Sequence, residues 1–256
     1  MNDYAMPLQT PAPLSAAALA VLKTTSTATL TTLLFKRGLR NVFMQGVRVL
    51  GAGATQMAGP AYTLRYIPAR EDLDHIGVFQ NHDHPQRKAV EEIPPGHVLV
   101  MDCRGDASAA SAGSILVTRM MVRGVAGVVS DGGLRDSHEI AKLAIPTYCS
   151  GPSAPTNLIK HHAVDINVPV GCGGVPVFPG DIVVGDADGV VVIPAEIAEA
   201  VAGEASEQTL FEDFVMEQVL AGRRIFGLYP PTDPATLEQF KTWRTQLGTS
   251  EEREKP

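Results

Sequence analysis

The chain has 256 residues, of which 45% are hydrophobic and 19% are charged, the balance of an ordinary globular core. Its formal net charge is −7, so it lacks the surplus of lysine and arginine with which a broad nucleic-acid surface displaces counterions from phosphates. Aromatic residues make up only 5% of the chain, too few for an extended surface on which bases stack. We therefore expect no nucleic-acid partner.

The three cysteines are widely spaced and form no CxxC pair, which predicts buried free thiols in a reducing compartment. They are Cys103, Cys149 and Cys172. The first residues lack the basic and apolar regions of a secretion signal. No stretch reaches 18 uninterrupted apolar residues, so we expect no membrane-spanning helix and no membrane partner. Together these features predict a cytoplasmic protein.

The N-terminal part of the chain begins with an arm and two short helices. Residues 1–14 contain three prolines and little periodicity, which predicts the arm. Ser15 and Ser26 each precede a run with apolar residues at helical spacing, and serine is a preferred residue for capping a helix start. We expect the second helix to end at Gly38, because glycine suits the left-handed turn that closes a helix.

Strands and helices alternate through the middle of the chain, which is typical of an α/β fold. A helix is predicted over residues 110–124 and a long amphipathic helix from Pro194 to near Gly222. Between residues 165 and 194, short strands alternate with turns rich in glycine, proline and aspartate, which predicts a second, antiparallel sheet layer. Further apolar strands are predicted over residues 47–53, 61–67, 97–103, 125–133 and 145–151.

This pattern divides the chain into three predicted parts. Residues 1–14 form the arm and residues 15–230 form one α/β domain of ordinary size. Residues 231–256 form a tail that begins at a pair of prolines and contains a short helix around residues 237–247.

The segment at residues 130–139, SDGGLRDSHE, is the densest group of polar residues beside an apolar strand. Ligands of α/β proteins bind at strand ends, because side chains and loop amides converge there. The guanidinium of Arg135 can bind a substrate carboxylate in a two-pronged manner, and the carboxylate of Asp136 can bind a hard divalent cation. The alternative is a surface turn in which Arg135 pairs with Asp131, Asp136 or Glu139.

A second candidate is the run of small residues at 104–116, which leads into the predicted helix near Gly113 and Ser114. Unbonded N–H groups at a helix start attract a carboxylate or a phosphate. The sequence alone favours the alternative, an ordinary capped helix without a ligand.

Three further patterns predict no site. Residues 185–194 resemble the opening of a calcium loop but lack its twelfth-position acid, so a hairpin turn is expected. His82 and His84 have no partner at a metal-binding spacing, which favours a solvated loop. By the same argument, the pair at residues 161–162 is expected in an exposed helix end or loop.

Five segments in register resemble one known family, which contains 4-hydroxy-4-methyl-2-oxoglutarate aldolase and the regulator of ribonuclease activity A. The resemblance extends from about residue 20 to about residue 230. The segments are STATL at 26–30, GPAYTLRYIPAREDLD at 59–74, GHVLVMDCRGD at 96–106, RGVAGVVSDGGLRD at 123–136 and PGDIVVGDADGVVVIP at 179–194.

The resemblance implies an α/β fold, a layered αββα sandwich with a swivelling β/β/α core, assembled as a homotrimer or homohexamer with its sites between subunits. It also implies a class II pyruvate aldolase that uses Mg²⁺ or Mn²⁺ and decarboxylates oxaloacetate as a side activity. The small-molecule partner would be a 2-oxo acid.

The same resemblance assigns roles to particular residues. Arg135 would bind the carboxylate or oxo group of the pyruvoyl part, and Asp136 would bind the metal directly. Glu212, on the long helix of a neighbouring subunit, would reach the metal through a water. The substrate carboxylate would be held by the amides at the helix start, which are those near Gly113, Ser114, Ile115 and Leu116.

One position departs from the family pattern. The aldolases usually carry an acid 21 residues before the arginine of the Arg-Asp pair, and this chain has Ser114 there, which alters metal affinity, base strength or substrate choice. The regulator branch often lacks an intact Arg-Asp pair, whereas this chain has one at Arg135 and Asp136. We therefore expect an enzyme that cleaves a 4-hydroxy-2-oxo acid to pyruvate or decarboxylates oxaloacetate. The alternative is a non-catalytic regulator that binds an RNA-degrading enzyme.

Overall fold

The structure, a computed structural model, describes residues 13–51 and 55–253. The predicted arm, residues 1–14, lies outside this range except for its last two residues. The described chain divides into two compact units, which meet in sequence between Gly203 and Glu204. The predicted division into arm, domain and tail stays a prediction.

The helices are α1 (Ala16–Thr24), α2 (Thr27–Lys36), α3 (Pro85–Glu92), α4 (Ser114–Val122), α5 (Ser137–Ile140), α6 (Ala198–Leu220) and α7 (Pro234–Arg253). Short 3-10 helices span Ile76–Gln80, Asn157–Ile159 and Ala195–Ile197. The strands are β1 (Arg48–Val49), β2 (Met57–Pro68), β3 (Val98–Asp102), β4 (Ala110–Ala112), β5 (Gly127–Ser130), β6 (Gly133–Leu134), β7 (Thr147–Cys149), β8 (Gly151–Pro152), β9 (His161–Ile166), β10 (Val170–Cys172), β11 (Val175–Val177), β12 (Ile182–Gly185) and β13 (Val190–Ile193).

An eight-stranded mixed sheet forms the centre of the first unit, with strand order β1-β7-β5-β3-β2-β12-β13 and β9 paired to β2. Strands β7, β5, β3 and β2 are parallel, so their carboxyl ends lie along one edge. Strands β4, β6 and β8 form a small parallel sheet, and each follows one of these strands in the chain. The candidate site is built where these two sheets meet.

The alternation of side chains along β3 shows how the layers are stacked. Leu99 and Met101 pack in one buried cluster with Val117 of helix α4. Val98 and Val100 face the other way, into a second cluster with the strands β10–β13. Because alternate residues of a strand point to opposite faces, helix α4 covers one face of β3, and the β10–β11 hairpin with strands β12 and β13 of the same curled sheet covers the other. The predicted layered α/β class is confirmed.

The predicted caps of the first two helices are confirmed. The Ser15 side chain accepts a hydrogen bond from the N–H of Ala18, and the Ser26 side chain accepts one from the N–H of Thr29. Gly38 follows the second helix with a φ of 85°, the left-handed conformation expected after a helix end. No single helix of the described chain is long and apolar enough to cross a membrane, and α1 with α2 meets that test only as a pair bent by 112°.

Three local predictions were wrong because pairing with distant segments decides the outcome. Ala110–Ala112, predicted as helix, is strand β4, since it pairs with β6. His161, predicted as exposed, is fully buried at the start of β9, which pairs with β2. His84, predicted in a solvated loop, is buried where α3 begins.

Other predictions in this unit are confirmed. The β12–β13 hairpin turns through Asp186, whose carboxylate accepts the N–H of Asp188. The three cysteine thiols are free and buried. The predicted long helix begins as a 3-10 turn at Ala195–Ile197, continues as α6 and is followed by Gly222 in a left-handed conformation.

The second unit contains the end of α6 and the helix α7. Its core is an aromatic and aliphatic cluster formed by Phe211, Phe214, Val215 and Leu228, with Phe240 and Trp243 packed against it. The indole N–H of Trp243 donates to the Glu217 carboxylate at 2.7 Å. Helix α7 spans Pro234–Arg253 and is therefore longer than the short helix predicted for the tail.

Candidate active site

The small parallel sheet brings the two predicted polar segments together. Strand β4 leads into α4, and the neighbouring strand β6 leads into Arg135 and Asp136. The N–H of Arg135 donates to the carbonyl oxygen of Ala112 at 3.0 Å, so this loop follows the segment that begins α4. The start of α4 and the Arg-Asp pair therefore form one cluster.

Within this cluster, one carboxylate oxygen of Asp136 contacts both Ser114 and Arg135. Oδ2 of Asp136 lies 3.3 Å from both the backbone nitrogen and the hydroxyl of Ser114. The same oxygen lies 3.7 Å from Nε of Arg135. The side chains of Arg135 and Asp136 remain 48% and 41% exposed, so both groups are open to a ligand.

Asp136 itself has an unusual backbone. Its φ of 55° and ψ of 36° lie in the left-handed region, which residues other than glycine seldom adopt. Its carbonyl oxygen accepts hydrogen bonds from Glu139 and Ile140 at the start of α5. Such outliers persist where the surrounding structure determines them, and they concentrate at functional sites.

Gly113 allows α4 to start against these side chains. A Cβ atom at this position would lie 2.8 Å from Cγ of Arg135 and 2.9 Å from Oδ2 of Asp136, closer than real Cβ contacts. The close packing of backbone against a charged pair therefore requires glycine here.

The first turn of α4 places backbone donors beside the charged pair. The amides of Leu116 and Val117 donate to the carbonyl oxygen of Gly113 at 3.1 Å, so helical bonding begins there. The amide of Ser114 donates to Oδ2 of Asp136 at 3.3 Å, and the amide of Ile115 precedes the helical bonds and points out of the helix start. Positive potential at a helix start favours an anion. The Ile115 side chain is 82% exposed next to these donors.

Asp131 is a buried carboxylate that holds loops together near this cluster. The sequence did not predict this structural role. Asp131 accepts the N–H groups of Cys103 at 2.6 Å, Gly105 at 3.0 Å and Gly173 at 3.3 Å. Burial raises the pKa of this carboxyl, while the backbone hydrogen bonds act in the opposite direction. Asp131 therefore joins its own loop to the loop after β3 and to the β10–β11 turn, and it is not an exposed partner of Arg135.

The ion pairs test the alternative that residues 130–139 form only a surface turn. Glu139 pairs with Lys142 at 3.0 Å, leaving Asp136 as the carboxylate beside Arg135. The pair is long at 3.7 Å and half exposed, so it contributes little to stability. Its residues are available for binding.

A cavity of about 640 Å³ lies near the same sheet edge but is lined by other residues. Arg104, Asp131 and Ser150 line it, together with glycines of the β10–β11 hairpin. None of Arg135, Asp136 or Ser114 lines it, so the predicted site is an open cluster and not this cavity.

Glu212 belongs to the second unit. Its Oε1 accepts hydrogen bonds from Nε2 of Gln208 at 2.8 Å and from the hydroxyl of Tyr229 at 3.1 Å. Burial raises the pKa of Tyr229, and the Glu212 carboxylate acts in the same direction. Glu212 is therefore held in a defined orientation on α6.

The carboxylate of Asp136 is the group in the cluster that suits a hard cation such as Mg²⁺ or Mn²⁺. Within residues 13–51 and 55–253, no three His, Cys, Asp or Glu side chains of one chain are grouped to hold a metal ion. Mg²⁺ keeps several waters and commonly binds one or two carboxylates. Asp136, together with one further carboxylate from outside the cluster, would therefore suit this ion.

The family model for RraA-like proteins (Aldolase/RraA) matches residues 27–192 of the chain. The chain belongs to the RraA-like family. The matched residues include β1–β12, helix α4 and the Arg135–Asp136 pair, so the site described above lies within the part shared with the family.

Relatives of this RraA-like chain include named aldolases. The 4-hydroxy-4-methyl-2-oxoglutarate aldolase of Thermus thermophilus is 32% identical over 108 residues, which cover 42% of this chain and 65% of that protein. A protein from Halalkalibacterium halodurans, provisionally named for the same activity, is 38% identical over 153 residues, which cover 60% of this chain and 67% of the relative. The chain spans only 26% and 53% of the length of two other curated relatives.

A solved structure represents the other branch of the family. RraAS2 of Streptomyces coelicolor, an unusual member of the RNase ES inhibitor RraA protein family, matches with a TM-score of 0.69 and 32% identity. The match covers 80% of this chain and 98% of that one. The RraA-like family therefore contains both aldolases and regulators with this fold.

Proposed function

We propose that this RraA-like protein is a divalent-metal-dependent lyase that cleaves a 4-hydroxy-2-oxo acid to pyruvate and decarboxylates oxaloacetate. The observation that carries the proposal is the cluster in which Arg135, Asp136 and the first turn of α4 meet. A guanidinium, helix-start amides and a carboxylate are the groups that a 2-oxo acid and a hard cation require.

The two reactions share one chemical problem. In the cleavage, the 4-hydroxyl loses its proton, the C3–C4 bond breaks and its electron pair moves onto the pyruvoyl part as an enolate. In the decarboxylation, the equivalent bond breaks with loss of CO₂ and gives the same enolate, which then takes a proton at C3. Both reactions therefore need positive charge near the oxo oxygen, where negative charge develops.

The chain's own residues meet that need in a defined way. The amide of Ile115 binds the substrate carboxylate, the amide of Ser114 is shared between that carboxylate and Asp136, and the Arg135 guanidinium binds beside the oxo oxygen and stabilises its developing charge. Asp136 would hold the cation directly, and Glu212 of a neighbouring subunit would reach it through a water. When bound there, Mg²⁺ or Mn²⁺ supplies Lewis-acid polarisation of the oxo group.

This arrangement requires more than one chain. A site that uses Asp136 of one subunit and Glu212 of another implies a closed homo-oligomer, which we propose to be a trimer or hexamer.

The second candidate function is a non-catalytic regulator of an RNA-degrading enzyme. It is favoured by the likeness to RraAS2, at 32% identity. The two functions differ in their need for a metal, because a protein that acts by surface contact does not need the Asp136 carboxylate to bind a cation.

The test is a pyruvate-release assay with 4-hydroxy-4-methyl-2-oxoglutarate and with oxaloacetate, in Mg²⁺ or Mn²⁺ and after chelation. An enzyme-free blank with the same metal corrects for spontaneous decarboxylation. We expect turnover that chelation removes, and that Asp136→Asn lowers by at least about a hundredfold. Glu139→Gln, which neutralises a nearby exposed acid, is the matched control and should retain activity. Metal-independent turnover, or equal activity of Asp136→Asn, would contradict the proposal.

A further inference from the structure

A second polar cluster lies at the start of α3, at the same edge of the main sheet. Strand β2 ends at Pro68, beside His161 at the start of β9. Residues 69–84 then cross this edge and lead into α3 at Pro85. We call this group, which consists of Phe79, His84, Gln86 and Arg87, the α3 cluster.

Two side chains of the α3 cluster have buried polar atoms without a partner. His84 is 9% exposed, and its Nδ1 has no hydrogen-bond partner in the described chain. Gln86 is 3% exposed, and its Oε1 is likewise unpartnered, although its Nε2 donates to Ser111 at 2.6 Å. Buried polar groups are nearly always satisfied in folded proteins, so Nδ1 of His84 calls for a bound group, whereas Oε1 of Gln86 is an acceptor and takes no part in binding another acceptor.

Arg87 is a half-buried cation next to these atoms. Its guanidinium carbon lies 4.2 Å from the centre of the Phe79 ring, and the His84 ring packs edge-on against the same Phe79. No carboxylate of the described chain lies within ion-pair distance of Arg87, whereas Arg65, Arg70, Arg119 and Arg244 each pair with one. Stacking fixes the plane of the guanidinium and leaves its N–H edge for another partner.

A buried acid of this region, Asp74, is already bound by other groups. Asp74 is only 2% exposed in its side chain, and its Oδ1 lies 2.8 Å from Nδ1 of His162. Its Oδ2 accepts the N–H of Arg70 at 2.8 Å. Asp74 is therefore satisfied by Arg70 and His162, and no ion pair of the described chain joins it to Arg87.

The α3 cluster lies at the same end of the helical layer as the Asp136 site. Gln86, in the first turn of α3, bonds to Ser111, two residues before the Gly113 cap of α4. Further along, Glu91 pairs with Arg119 on α4 at 2.7 Å. The two helices therefore run side by side in the same direction, with both starts at the carboxyl ends of the parallel strands.

We propose that the α3 cluster is a binding site for a small carboxylate, held by the Arg87 guanidinium beside His84. A guanidinium forms a two-pronged, charge-assisted pair with a carboxylate, which the chain itself does not supply here. The carboxylate belongs either to the far end of a dicarboxylic substrate or to a separate small acid. The first source rests on the proposed function; binding of a separate acid does not.

The binding test uses succinate, a dicarboxylate without an oxo group, titrated calorimetrically into the metal-free protein. We expect Arg87→Gln to weaken succinate binding at least about tenfold. Arg87→Lys should weaken it less, because an ammonium keeps the positive charge but cannot form the two-pronged pair of a guanidinium. Lys88→Gln removes the neighbouring positive charge of α3 and is the matched control, expected to bind within about twofold of the wild type. Circular dichroism of each variant checks that the fold is intact.

A kinetic test then separates the two sources of the carboxylate. If Arg87→Gln raises the KM for oxaloacetate at least about tenfold with kcat nearly unchanged, the site holds the far end of the substrate. If it abolishes succinate binding and leaves both constants unchanged, the site takes a separate acid. Equal succinate binding by wild type and Arg87→Gln, or binding of inorganic phosphate instead of succinate, overturns the proposal. Because calorimetry needs no turnover, an inactive protein would refute the proposed function without affecting this result.

Discussion

The backbone of Gly113 lies directly against the carboxylate of Asp136. A Cβ atom on Gly113 would lie 2.9 Å from Oδ2 of Asp136, inside the distance that real Cβ contacts keep. Because Gly113 has no Cβ atom, the start of α4 can pack directly against the loop that carries Asp136.

Gly113→Ala should displace Asp136 or the start of α4, because the added methyl group and the carboxylate oxygen cannot occupy their present positions. A displacement of this kind at a reacting centre costs at least about tenfold in kcat/KM. Pyruvate release at several metal concentrations measures the loss. Gly171→Ala is the matched control, since a Cβ there meets nothing within 4 Å. Unchanged kinetics of Gly113→Ala would show that this contact does not position the site.

Ser114→Asp should strengthen metal binding. The Ser114 hydroxyl lies 3.3 Å from Oδ2 of Asp136, so an aspartate there would place a second carboxylate beside the first. Two carboxylates repel each other without a cation and attract a hard cation together. We expect the dissociation constant for Mn²⁺ to fall at least about tenfold, or about 1.4 kcal/mol.

Calorimetric titration of Mn²⁺ into wild type, Ser114→Asp and Ser114→Asn tests this prediction. The asparagine variant has nearly the same shape without the charge and should bind the metal about as weakly as the wild type. A change of less than about twofold in Ser114→Asp would mean that Ser114 does not face the bound cation.

Mixing two inactive variants should restore activity if the site is shared between subunits. Asp136→Asn lacks one acid and Glu212→Gln lacks the other, so each homo-oligomer should be inactive. In a random equimolar mixture, about a quarter of all sites would combine an intact Asp136 with an intact Glu212 from the neighbouring chain. The pyruvate-release rate after joint refolding measures the recovery.

Sedimentation provides the control for this experiment. We expect wild type and both variants to sediment as a trimer or a multiple of it. Hybrids that form without regaining activity, or an active monomer, would exclude Glu212 acting in the site of a neighbour.

The parts of this fold that follow local rules could be predicted from the sequence. Ser15 and Ser26 cap their helices through hydrogen bonds to residues three positions away, which short-range sequence patterns encode. The Arg135–Asp136 pair is also predictable from a short-range pattern, because it follows the apolar run of β5 within a few residues. Whether the pair binds a 2-oxo acid and a metal stays a prediction.

The parts that depend on distant partners could not be predicted in this way. The three small residues of β4 suit a helix, and their pairing with β6 makes them a strand. His161 lies at the β2–β9 pair, where burial lowers the pKa of its imidazole. The sequence suggests that Asp131 is one acid of an exposed turn. Its carboxylate instead binds amides that lie 28, 26 and 42 residues away in the chain.

The Asp181 carboxyl should make folding stability fall as the pH rises through weak acidity. Asp181 is 7% exposed, and its oxygens accept the N–H groups of Phe178 at 2.8 Å and Ala195 at 3.2 Å. Burial raises its pKa from 3.8 to about 6, against the effect of these hydrogen bonds. A carboxyl whose folded pKa exceeds its unfolded value favours the folded state fully below pH 3.8, and this contribution is lost as the pH rises through about 6.

Asp181→Asn separates this effect from all other titrations, because the amide is neutral throughout. A shift of about two pKa units corresponds to about 3 kcal/mol over the whole titration, and about 2 kcal/mol of it falls between about pH 4 and pH 7. The unfolding free energy of the variant minus that of the wild type should therefore rise by about 2 kcal/mol across this range. The lost acceptor for one N–H lowers the variant's stability by a nearly constant amount at every pH. Urea unfolding at pH 4, 5, 6 and 7 measures the difference. Asp188→Asn, at an exposed position of the β12–β13 turn, is the control for removing an aspartate from this hairpin. A flat difference for Asp181→Asn would show that the pKa of Asp181 is the same in the folded and unfolded states.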